Sequence, residues 1–145
     1  MTMKELFIEA IRRTDAGDQE GFLALHDEAS TWVVPGAELH GKEQLRPWLE
    51  LFWQGFSSFR HDLNAIYEAG PDRLICEGVW SGRNDGPLAM PDGSEAPPTG
   101  REVAFRFAIV VDREPGAQVA GAVRLYFDQL EFLGELGLVP DPAAA

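Results

Sequence analysis

Cysteine is almost missing from this chain: Cys76 is the single one in 145 residues, so no intrachain disulfide can form and a reducing compartment is the simpler expectation. Cys76 then reads as a small buried hydrophobe. Positive charge is scarce as well. Twelve Lys and Arg stand against 24 Asp and Glu, a formal net charge of -12, which repels a phosphate backbone and removes nucleic acid from the expected partners. The acidic residues are interspersed with apolar ones, the pattern of a solubilising surface and not of a disordered tail. Long apolar runs are absent too: Met1-Thr2-Met3-Lys4-Glu5, followed by Glu9, Arg12 and Arg13, offers no export segment, and nothing approaches the ~18 residues of a membrane span. The expectation is a cytoplasmic protein without a membrane partner.

The common chemical motifs are lacking in the same way. There is no Gly-x-Ser-x-Gly elbow, no Gly-x-Gly-x-x-Gly fingerprint and no phosphate-binding loop of the nucleoside-triphosphatase kind. His26, His40 and His61 are too far apart for a metal motif, so no metal is expected and surface or helix-end positions are the simpler reading. His61, Asp62 and Glu77 fall where a hairpin could face a cavity, but solvated strand faces account for them more simply.

What is present is a folding pattern. A chain with 45% hydrophobic residues can bury one core, and 1–145 is expected to form one domain. Met3, Phe7, Ala10 and Ile11 make one helical stripe that should end near Gly17, and Asp18 offers the N-cap of a second, shorter helix carrying Phe22, Leu23 and Leu25. A short strand from Thr31 ends at Pro35-Gly36. After Gly41, Leu45, Trp48, Leu49 and Phe52 share a helical face, with Pro47 requiring a later start than Lys42 or a kink. Phe59, His61, Leu63, Ala65 and Tyr67 then alternate with polar residues, and the return strand sets Leu74, Cys76, Gly78 and Trp80 on one face. Residues 82–100 read as a long Gly- and Pro-rich loop or lid. The last hairpin places Val103, Phe105, Phe107, Ile109 and Val111 opposite Val119, Val123, Leu125 and Phe127, with Arg106, Ala108, Ala120, Ala122, Arg124 and Tyr126 on a face that suits a subunit interface or a half-wet surface better than a dry core. The sum is an α+β domain: helices on one face of a curved antiparallel sheet of four or five strands.

That order, with Pro35-Gly36-Ala37 and His40-Gly41, Pro97-Pro98-Thr99-Gly100-Arg101, and Tyr126-Phe127-Asp128-Gln129 before Glu135-Leu136-Gly137-Leu138, resembles the nuclear transport factor 2-like superfamily, cystatin-like in shape. Within it, the chain is similar to the SnoaL-like polyketide cyclase and ester cyclase branch. The resemblance implies a cone-shaped sheet around an apolar pocket, a homodimer, a small apolar ligand and no cofactor. It implies an acid/base role for Asp128 in cofactor-free cyclisation or isomerisation, because cyclases of that branch carry an aspartate at the end of the last strand. Asn84, in Gly82-Arg83-Asn84-Asp85-Gly86, stands where the family places a histidine; an amide can orient a carbonyl but cannot relay a proton. Leu125 occupies the place of the catalytic aspartate of limonene epoxide hydrolases, which excludes that mechanism.

Two readings stay open. Asp128-Gln129-Leu130-Glu131 also has the form of a capping box, so Asp128 is either a proton shuttle or a helix cap. Trp32, Trp48, Phe52 and Trp80 are the expected substrate-binding wall, and ordinary core packing describes the same bulky rings. A ligand-binding or dimerisation module without catalysis is the competing function.

Overall fold

A computed structural model describes residues 1–90 and 92–140. Its elements are α1 (Met3–Asp15), α2 (Gln19–Leu23), β1 (His26–Val34), β2 (Ala37–His40), α3 (Lys42–Gly55), β3 (Phe59–Glu68), β4 (Arg73–Arg83), β5 (Leu88–Ala89), β6 (Glu95–Ala96), β7 (Glu102–Asp112), β8 (Ala120–Phe127) and α4 (Gln129–Glu135). The α+β architecture is as expected from the pattern. Six strands form the main sheet in the order β2-β1-β8-β7-β4-β3, and β5 and β6 pair separately. The sheet is mixed: β1 runs parallel to β8, while the other pairings of the main sheet are antiparallel.

Local chemistry explains where the helices begin. Thr2 accepts the Glu5 N–H and Glu5 reaches back to the Thr2 N–H, so α1 starts on a reciprocal capping box. Asp18 caps α2 by accepting the Gly21 N–H. Of the two alternatives for α3, the start later than Lys42 is not taken: the helix runs from Lys42 with Pro47 inside it, at the loss of one donor toward the carbonyl four residues back. Burial of Leu45, Leu49 and Trp53 on one face outweighs that loss.

Three further differences have local causes. The first strand is longer than its apolar core suggests, beginning at His26, and β2 returns beside it across Pro35-Gly36. In β3 the register shifts between Leu63 and Ala65, so Ile66 packs against the core and Tyr67 turns outward at 53% exposure. One inserted residue reverses the alternation expected from the sequence. In β8 it is Ala120, not Val119, that is buried.

The inner face of the sheet carries a run of rings. Phe105 stacks on Trp80 at 4.9 Å between centroids and on Phe127 at 4.5 Å, each pair worth about 1 kcal/mol beyond area burial. Gly78 makes room for this wall, since a Cβ there would stand 2.4 Å from the Asp62 carbonyl oxygen and 2.8 Å from the Phe107 ring.

Candidate functional site

Helices α1 to α3 cover the inner face of the sheet without filling it, leaving a cavity of about 100 Å³ between the two layers. Trp32, Trp48, Phe52 and Trp80 all lie on its wall. Ring contacts link them in series: Trp32 to Trp48 at 6.3 Å, Trp48 to Phe52 at 5.0 Å and Phe52 to Trp80 at 5.7 Å. Trp32 and Trp80 are buried, whereas Trp48 and Phe52 keep part of their surface open. The Trp32 indole nitrogen is a buried donor without a hydrogen-bond partner among the described residues.

Few polar side chains enter this wall, and each is held differently. Thr14, in the last turn of α1, accepts the Trp53 indole N–H at 3.2 Å. His26 opens β1 deep in the interior, its Nδ1 2.9 Å from the Phe22 carbonyl oxygen. Burial pushes the His26 pKa down to about 4, outweighing the Phe22 carbonyl, which raises it; Lys42 lowers it a little further. The ring is therefore neutral near pH 7, with Nδ1–H donating to Phe22.

His61 differs. Its Nδ1 lies 2.6 Å from Asp15 Oδ1, and Asp15 Oδ2 accepts the backbone N–H of the same His61 at 3.0 Å. One carboxylate at the end of α1 thus grips both the backbone and the ring of a residue on edge strand β3. A carboxylate partner requires a proton on Nδ1, so in the neutral ring the lone pair sits on Nε2. No hydrogen bond engages Nε2 among the described residues, and the ring lies on the cavity wall in T-shaped contact with Phe59 and Phe107, at 6.0 and 5.7 Å between centroids. Such an arrangement can accept a proton from a bound molecule and hold the resulting imidazolium against a carboxylate.

The profile of the SnoaL-like domain matches residues 5–120. The chain belongs to the SnoaL-like family. No functionally curated protein matches it. Among solved structures, AclR from Streptomyces galilaeus, provisionally named a hydroxylase, shares 16% identity at a TM-score of 0.77, over 95% of this chain and 86% of its own. A provisionally named polyketide cyclase from Pseudomonas putida KT2440 shares 21% identity at a TM-score of 0.74, over 94% and 98%. A Catenulispora acidiphila protein with a ketosteroid isomerase-like fold, in complex with trimethylamine, shares 18% at a TM-score of 0.73, over 96% of each chain. At these identities the structures establish the nuclear transport factor 2-like fold.

In this SnoaL-like chain the two residues expected to be catalytic stand away from the cavity. Asp128 is exposed and is the N-cap of α4, its Oδ1 accepting the Glu131 N–H at 3.1 Å; strand alternation sends Phe127 inward and Asp128 out. Asn84 is fully buried, but as a clamp. Its amide donates to the Gly55 and Gly86 carbonyls at 2.9 and 3.0 Å, and its oxygen accepts the Thr99 N–H and hydroxyl at 2.8 and 2.9 Å. Every polar atom of that side chain is thereby occupied. Among the described residues no three His, Cys, Asp or Glu side chains gather to hold a metal ion, and no helix is long and apolar enough to cross a membrane.

Proposed function

We propose that this SnoaL-like protein binds a small, largely apolar organic molecule in the cavity and carries out cofactor-free acid/base chemistry on it. The observation that supports this reading is an aromatic-walled space of about 100 Å³ with a carboxylate-held imidazole on its wall. On the scale where an apolar cavity of about 150 Å³ accepts benzene, this one suits a five-membered ring or a short branched chain better than a six-membered or fused aromatic ring. The Catenulispora neighbour's complex with trimethylamine is in keeping with a ligand of that size. The ligand is best neutral, because a lone charge sealed among rings loses its hydration.

Binding is tested by tryptophan fluorescence and saturation-transfer NMR with small neutral aromatic and alicyclic compounds. The wild type should bind members of this set, while Ala120→Leu, which adds bulk to the wall, should weaken binding about 10-fold or more at unchanged fold. Absence of binding across the set would overturn the reading.

The outer sheet face supports a second copy as partner. Val33, Arg124, Val110 and Ile75 lie side by side across four strands, next to Tyr126, Ala108 and Glu77. Tyr126 is 54% exposed, and such a mixed, aromatic-bearing face suits association. Light scattering should give a dimer that Tyr126→Glu dissociates; a monomeric wild type at micromolar concentration would remove this part of the proposal.

A further inference from the structure

The Asp15–His61 pair joins an α1 residue to one 46 positions later, and neither belongs to the Pro-Gly-Ala, Pro-Thr-Gly-Arg or Phe-Asp-Gln motifs, although both fall within the family match. We infer that it is the proton-transfer pair of the cavity, with His61 Nε2 as the general base and Asp15 as its positioning residue. This inference rests on the cavity being a ligand site. The substrate class follows from the chemistry: a neutral, mostly apolar molecule with a carbon-bound proton made acidic by an adjacent carbonyl or equivalent group.

The step balances without a co-reactant. His61 Nε2 takes the proton as the C–H bond breaks, and the electron pair passes to the carbonyl oxygen as an enolate. The imidazolium, paired with Asp15, then returns the proton to another carbon, which gives isomerisation, or to a departing oxygen, which gives elimination. Asp15 contributes by fixing the tautomer. Its Oδ1 needs a hydrogen on Nδ1, which places the lone pair on Nε2, the nitrogen without a hydrogen-bond partner among the described residues. Its Oδ2 holds the His61 backbone N–H, so the ring cannot swing away by a shift of the edge strand.

A purely structural tie between α1 and β3 would show the same two hydrogen bonds, and the test separates the two. The probe is isoxazole, a small neutral five-membered aromatic whose C3 proton is removed by a base as the N–O bond breaks, releasing the enolate of cyanoacetaldehyde. Binding is measured by NMR and turnover by absorbance. The wild type is expected to bind and convert the probe, and His61→Gln to lower kcat about 100-fold with Kd nearly unchanged. Asp15→Asn keeps an acceptor for the backbone N–H but presents an amide N–H to Nδ1, which moves the ring hydrogen to Nε2. It should therefore lower kcat by at least about 10-fold at unchanged melting temperature. His61→Ala should regain turnover with added imidazole. Should His61→Gln fail to fold, Asp15→Asn and the imidazole rescue still decide. A probe that binds but turns over equally in all variants overturns the pair; a probe that does not bind, in a protein that also binds no other small neutral compound, overturns the cavity reading instead.

Discussion

Two polar constellations flank the aromatic interior, and they are built on opposite plans. At the junction of the β4–β5 and β6–β7 loops, Asn84 spends all of its hydrogen-bonding capacity on Gly55, Gly86 and Thr99, and the nearby Asp85 accepts both the Ser57 N–H and its hydroxyl. At the junction of α1 and β3, Asp15 satisfies one nitrogen of His61 and leaves the other open. A fully satisfied buried group adds rigidity and has nothing left for a ligand; a half-satisfied one on a cavity wall keeps a site for chemistry. The difference fits loop anchoring in the first region and the proton transfer proposed for the second.

The largest expected effect breaks the first region. Asn84→Ala strips partners from two carbonyls, one backbone N–H and one hydroxyl at a position with 0% exposure. Chemical denaturation should show a loss of about 4 kcal/mol, each of the four lost hydrogen bonds contributing about 1 kcal/mol net. Variants that remain folded should still bind cavity ligands. Loss of binding at intact fold would blur the division between the regions.

Next in size is a pH effect carried by His26, the other imidazole of the cavity. Its folded pKa of about 4 lies below the ordinary 6.5, so between those values the unfolded chain binds the extra proton. Its contribution is complete above pH 6.5, is lost as pH falls toward about 4, and changes no further below that. The loss amounts to about 3 kcal/mol over the window. Urea denaturation across pH should show this decline, and His26→Gln should flatten it by close to one proton. Glu9, held low by Arg12 and Arg13, overlaps only the acid end of that window, its contribution being lost as pH falls from about 4.5 toward about 2. An equal slope in the variant would mean that His26 is not the group responsible.

The same contrast shows what a sequence discloses. The helix stripes, the strand alternation and the Trp and Phe residues of the wall are written in short-range periodicity, so they are legible before any coordinates. The β3 bulge is not, because nothing in Leu63-Asn64-Ala65 marks where one residue drops out of the ladder. Nor is the parallel β1–β8 pairing, which depends on contacts nearly a hundred positions apart. The Asp15–His61 pair fails for the same reason: His61 looks like one polar residue on a hairpin, and Asp15 like the tail of a helix. The only local hint is that Asp15 ends the stripe that closes over the inner face to which His61 belongs. Asp128 shows the converse. Family likeness singles it out for chemistry, while its immediate sequence, Asp-x-x-Glu ahead of apolar residues, already describes the cap that it forms.

The smallest effect sharpens the comparison most. Asp128→Ala should cost about 1 kcal/mol through loss of the bond to the Glu131 N–H, whereas Asp128→Asn, which can still cap, should stay within a few tenths. Neither should reduce turnover of isoxazole more than twofold, since the carboxylate is exposed and off the cavity wall. Because Asn is a competent cap but not a proton acceptor, the pair of variants separates the two roles in one experiment. A selective fall in kcat for Asp128→Asn at unchanged stability would return the proton transfer to the end of β8 and leave Asp15 and His61 as a structural tie.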